Sequence, residues 1–133
     1  EGIYDAMQEI SAPVSTTAVG MTASFGTTVL ISGRHGQRYA LPNATIHMHQ
    51  PLGGMQGQVT DMMIAANEFQ RLKNRLLDIF QHHTGQERDV LERDMERDTY
   101  LDAKNAAQYG LIDTVLEKTS VPYLANGNGK RLP

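Results

Sequence analysis

The sequence contains no cysteine, which excludes disulfides, a thiol nucleophile and thiolate metal sites. It has no excess of positive charge. Lys plus Arg is 12 and Asp plus Glu is 15, a net charge of -3, which argues against a basic nucleic-acid or anionic-membrane binder. It has no apolar run approaching the roughly 18 residues of a membrane span. Its opening, EGIYDAMQEI, lacks the basic-then-apolar order of a signal peptide and lacks a start Met, as expected of a piece of a longer subunit. Internal repeats are also missing. What remains is a chain of 133 residues, suited to one domain and able to bury roughly 65–70% of its unfolded surface.

Periodicity predicts the elements. Ile3, Met7 and Ile10 recur at helical spacing over residues 1–10, and Pro13 stops that helix. A β-rich stretch at 15–19 predicts a short strand. Residues 24–32 fit a buried helix ended by Gly33, although Thr27, Thr28, Val29 and Ile31 equally suit a strand. Short strands follow at 37–41 and 44–49. In the second, Thr45, His47 and His49 share one face while Ile46 and Met48 share the other. Met62, Ala66, Phe69, Lys73, Leu76 and Phe80 mark a helix over 58–83, about 38 Å long at 1.5 Å per residue. A domain of this size needs less, so one end is expected to project towards a partner. A charged helix over 86–95 rests on Val90 and Leu91; another opens near Asp102, with Asp102 or Thr99 as cap, and closes at Gly110. A last extended segment is expected at 111–116, then a polar tail over 117–133. Strands mixed with helices make the class α/β.

Without cysteine, covalent catalysis needs Ser, Thr, Lys or a carboxylate. Ser24 follows a predicted strand, stands between Gly20 and Gly26, and enters a predicted helix. That geometry exposes a hydroxyl beside helix N–H groups. GMTASFG is not the G-x-S-x-G pattern, however, and a buried small serine or an N-cap fits the same residues. His49 ends a strand beside the glycine-rich PLGGMQGQ, where a base would be rigid yet reach a pocket. His47 shares its face; the pair could equally be edge residues, or two metal ligands lacking a third. His82 and His83 adjoin at a helix end and are expected to be solvated. In RDMERD, the residues alone do not choose an orienting acid among Asp94, Glu96 and Asp98. GGMQG lacks the Lys-Ser or Lys-Thr of a phosphate loop; its bare backbone better suits strand addition by an extended peptide.

Taken in order, GMTASFG, LPNATIHMHQPLGGMQGQ, HHTGQ, ERDMERD and AAQYGLID resemble successive blocks of the ClpP family of self-compartmentalised serine proteases. The resemblance covers residues 2–116, read as the C-terminal two-thirds of one protease domain (1–116), with the polar tail outside it. It implies a crotonase-like spiral of β-β-α units with a projecting handle helix, and catalytic roles for Ser24 as nucleophile, His49 as base and Asp98 as acid. It implies substrate pairing at Gly53 and Gly54, a ring–ring contact at Glu96 and Arg97, and an ATPase-docking pocket at Tyr39 and Leu116. Glu9 departs, standing where the family often has an aromatic residue. The family's Gly-Gly oxyanion segment and first strands would lie before Glu1.

The implied function is a serine endopeptidase subunit of two stacked heptameric rings, homomeric or mixed. An AAA+ unfoldase of the ClpX, ClpA or ClpC type would feed it unfolded polypeptide. No cofactor, metal, nucleic acid or membrane is implied. The expected location is a bacterial cytoplasm, a chloroplast stroma or a mitochondrial matrix. Rival readings are a non-catalytic or fragmentary ring subunit, a crotonase-fold enzyme acting on acyl-CoA thioesters, and an α/β interaction domain.

Overall fold

The computed structural model describes residues 2–51 and 57–117. The chain runs α1 (Gly2–Glu9), β1 (Thr16–Ala18), β2 (Met21–Thr22), α2 (Phe25–Ile31), β3 (Arg38–Ala40), β4 (Thr45–Met48), α3 (Val59–Thr84), α4 (Arg88–Met95), β5 (Thr99–Asp102), α5 (Ala103–Tyr109) and β6 (Thr114–Val115). Two successive turns therefore read strand, strand, helix. The first strand of each turn joins β6 in one parallel sheet, ordered β1-β3-β6. The second strands form another sheet, ordered β2-β4-β5, with β5 antiparallel to β4. This is the expected spiral of β-β-α units.

The ambiguous segment is a helix, as expected. Its apolar residues Leu30 and Ile31 are buried against the sheets, and Thr16 Oγ1 donates to the Leu30 carbonyl at 2.7 Å. Helix α1 contributes no buried residue, and Glu9 is exposed. In α3 the burial is confined to the C-terminal turns, where Leu77, Ile79 and Phe80 enter the core. At its other end Val59, Met63 and Ile64 are exposed, so the helix projects as its length requires. Asp102 caps α5 by accepting from the Asn105 N–H at 2.8 Å. Gly110 ends α5 at φ +99°, and a Cβ there would collide with the Thr84 carbonyl oxygen. Only glycine fits that junction between the ends of α5 and α3.

Four expectations need correcting. Strands β2 and β5 were not foreseen, being two and four residues long. Helix α4 buries Leu91 and Met95, while Val90 is only half-buried. Leu111 and Ile112 are core residues preceding a strand of only Thr114 and Val115. His83 is buried, with its Nε2 hydrogen-bonded to Tyr4 Oη at 2.9 Å; His82 alone is exposed.

The expected peptide-pairing residues, Gly53 and Gly54, lie outside the described residues, as does the tail beyond Glu117.

One buried cation locks the spiral. Arg38, 1% exposed, forks onto Asp113, with Nε to Oδ2 at 3.0 Å and Nη2 to Oδ1 at 2.8 Å. Its Nη1 donates to the His83 carbonyl at 2.8 Å and the Ile31 carbonyl at 3.3 Å. It thus joins β3, the approach to β6, and the C-terminal ends of α2 and α3. Burial pushes the Asp113 carboxyl up, but bonds from the Arg38 guanidinium and the N–H groups of Arg38 and Gly36 overcome it. The pKa falls to about 2.

Candidate active site

Ser24 sits between β2 and α2 with φ 55° and ψ -129°, the only non-glycine residue at positive φ among the described residues. Holding a serine there costs on the order of 1–3 kcal/mol, a strain that folds tend to keep at functional positions. The hydroxyl does not cap α2, and the residue is exposed. Both bland readings of this serine, buried filler and N-cap, are thereby removed. The strand–turn–helix geometry is that of a nucleophile elbow, reached without the G-x-S-x-G letters.

The elbow is fastened to the histidine strand. Thr27, 1% exposed, donates from Oγ1 to the His47 carbonyl at 2.6 Å. Ser24 and His49 consequently line one cavity of about 170 Å³, walled by Phe25, Leu76, Phe80 and Pro51. His49 Nδ1 lies 2.5 Å from the Gln50 carbonyl oxygen, so Nδ1 carries the proton and donates. That tautomer leaves Nε2 unprotonated, as a general base requires.

The β4–β5 ladder places the acid. Its register pairs His47 with Tyr100 and Met48 with Thr99. His49 and Asp98 are the next residues beyond the end of that ladder, and the Gln50 N–H donates to the Met95 carbonyl at 2.8 Å, outside its register. The carboxylate is bonded back to His47 inside the ladder: Asp98 Oδ1 accepts from His47 Nε2 at 3.0 Å. The His47 ring stacks on Tyr100 at 4.6 Å and lies 4.9 Å from the His49 ring. Among the described residues, no hydrogen bond joins Ser24 to His49 or His49 to Asp98. His49, which lines the first cavity with Ser24, also lines a second one with Gln50, Glu96, Arg97 and Asp98.

The rival acids are distinguishable by their partners. Asp94 accepts from Tyr109 Oη at 2.8 Å and pairs with Arg93 Nε at 3.0 Å, which holds its carboxyl below the usual range, the Arg93 bond first and the Tyr109 bond after it. It is committed to packing. Glu96 and Arg97 are exposed beside Asp98. Tyr39 and Leu116 share a face: Leu116 N–H donates to the Ala40 carbonyl at 2.9 Å and continues β6 along β3, two residues beyond the Thr114 that pairs with Tyr39. Among the described residues no cluster of three or more His, Asp or Glu could hold a metal, and no helix is long and apolar enough to cross a membrane.

Sequence reasoning missed the bond between His47 and Asp98. Its signal was the shared face of His47 and His49; the missing piece was β5.

The description of the family model that matches residues 1–119 is Clp protease. The chain belongs to the Clp protease family. It is 45% identical over 130 residues to the ATP-dependent Clp protease proteolytic subunit 1 of Salinibacter ruber, covering 95% of this chain and 56% of that protein. It is 52% identical over 116 residues to an ATP-dependent Clp protease proteolytic subunit of Dehalococcoides mccartyi, covering 87% of this chain and 58% of that protein. The chain thus spans a little under three-fifths of the length of these relatives.

Proposed function

We propose that this chain is part of a serine endopeptidase subunit of the Clp type, with Ser24 as nucleophile, His49 as general base and Asp98 as orienting acid. The observation that carries the reading is the strained, exposed Ser24 on its elbow, sharing a cavity with a histidine of the correct tautomer. His49 Nε2 takes the Ser24 Oγ proton as Oγ attacks a peptide carbonyl, then returns it to the leaving amine. Water releases the acyl-enzyme by the same base. The Phe25 N–H, next after the nucleophile, is one oxyanion donor. The second belongs to the upstream Gly-Gly segment that the family resemblance implies.

The names of the relatives support an ATP-dependent partner for the whole protein. We infer a barrel of two stacked heptameric rings in a bacterial cytoplasm or an organelle derived from one. The exposed end of α3 interdigitates between rings, Glu96 and Arg97 make the ring–ring contact, and Gly53 and Gly54 pair with extended substrate. The sheet face holding Tyr39 and Leu116 receives loops of an AAA+ unfoldase.

Fluorophosphonate labelling of the native particle tests the chemistry. One adduct on Ser24, lost together with peptide cleavage in Ser24→Ala, is the expected result. An unlabelled Ser24 in an intact, cleaving particle would assign this chain a structural place in a mixed ring.

A further inference from the structure

We propose that His47 is a positioning residue that holds Asp98 away from His49 in the resting subunit, so that the triad forms only when His47 releases it. The proposal rests on the triad reading above and adds to it a built-in competitor for the acid.

The β4–β5 ladder ends at Met48 and Thr99, so His49 and Asp98 are the first residues beyond its end on either strand, yet the carboxylate is bonded back to His47 inside the ladder. His47 is well placed to win. Its side chain is 11% exposed against 64% for Asp98, and stacking on Tyr100 fixes its ring plane. His47 Nε2–H is therefore a preorganised donor, and the mobile partner is the carboxylate. His49 meanwhile gives its Nδ1–H to the Gln50 carbonyl. A neutral carbonyl holds the tautomer but stabilises a developing imidazolium less than a carboxylate does. Activation is then an exchange of acceptors with no net proton movement. Asp98 leaves His47 Nε2–H and takes His49 Nδ1–H, and the Gln50 carbonyl is freed. The two histidines are close enough, with ring centroids 4.9 Å apart, for a side-chain rotation to achieve this.

The test is the rate at which a fluorophosphonate labels Ser24 in the native particle, compared with two variants at His47. His47→Met fills similar space with no N–H. His47→Gln keeps a donor within reach of Asp98. Releasing one charge-assisted hydrogen bond is worth roughly a tenfold gain in the competent population. His47→Met should therefore label about tenfold faster, and peptide turnover should rise in kcat with KM unchanged. His47→Gln should stay slow. Equal or slower labelling of an assembled His47→Met, or His47→Gln as fast as His47→Met, overturns the proposal and leaves the triad standing. No labelling of Ser24 in the parent overturns both. If His47→Met does not assemble, crystal structures of the parent before and after phosphonylation decide. Asp98 on His47 before and on His49 after supports the exchange; Asp98 on the same histidine in both overturns it.

Discussion

Asp94 and Asp98 stand one helical turn apart in the sequence and do different work. Asp94 is tied to Tyr109 and Arg93, whereas Asp98 faces the histidine pair. Asp98→Asn should therefore depress kcat steeply, by up to about 10⁴-fold as in triads whose acid can no longer hold the imidazole tautomer. Asp94→Asn should leave turnover alone and lower stability by about 1 kcal/mol through the weakened Tyr109 bond. Fluorogenic-peptide kinetics and thermal melting of the two variants, side by side, check both halves. Equal losses of turnover would refute the division. The sequence could not separate these two acids because RDMERD repeats its charges; Tyr109 and the start of β5 separate them, and both are tertiary facts. Ser24 was legible as a residue between two glycines at the mouth of a helix. What the letters do not carry is its positive φ, which distinguishes an elbow from filler.

At the scale of elements, the long helix was legible because its stripe recurs at helical spacing from Met62 to Phe80, most of a helix of 26 residues. Strands β2 and β5 escaped because alternation over two to four residues carries no period. They hold the site nonetheless. β2 leads to Ser24, β5 begins one residue after the acid, and β4 between them carries His47 and ends one residue before His49. The relation of α2 to β4 hangs on the buried Thr27 hydroxyl and the His47 carbonyl. Thr27→Val keeps the shape and strands that carbonyl, an expected loss of about 1–3 kcal/mol. It should also slow acylation of Ser24, because the elbow is no longer pinned to the base. Urea unfolding together with labelling kinetics measures both; a fully stable Thr27→Val would show that the bond fastens nothing. Gly110→Ala is a harsher change at another junction, since its methyl would collide with the Thr84 backbone at a position of positive φ. It should reduce soluble, assembled protein, read by size-exclusion chromatography.

The whole molecule carries an acid-sensitive lock in two parts, both meeting at Arg38. His83 is buried, and burial first, then the charges of His82, Arg38 and His35, lower its pKa to about 4. In the unfolded chain it titrates near 6.5, so unfolding takes up a proton between those values. Stability therefore falls as pH drops from about 6.5 to about 4, by about 3 kcal/mol in all. Asp113 acts next. Its pKa of about 2 lies below the ordinary carboxylate value of about 3.9, so its contribution, about 2–3 kcal/mol, is complete above the latter and vanishes as pH falls through about 2. The acid limb should accordingly have two steps, the first from the histidine and the second from the carboxylate. His83→Phe should flatten the first step and leave the second, while Tyr4 turns its hydroxyl to solvent. Asp113→Asn should remove the second step, and it should weaken the protein at neutral pH because Arg38 is left buried without its counter-charge. Denaturation midpoints of the native particle, measured between pH 7 and 2.5 at constant ionic strength, resolve the two. A parent whose midpoint does not move between pH 6.5 and 4 would mean that His83 is already hydrated in the folded state, and that Tyr4 does not seal it.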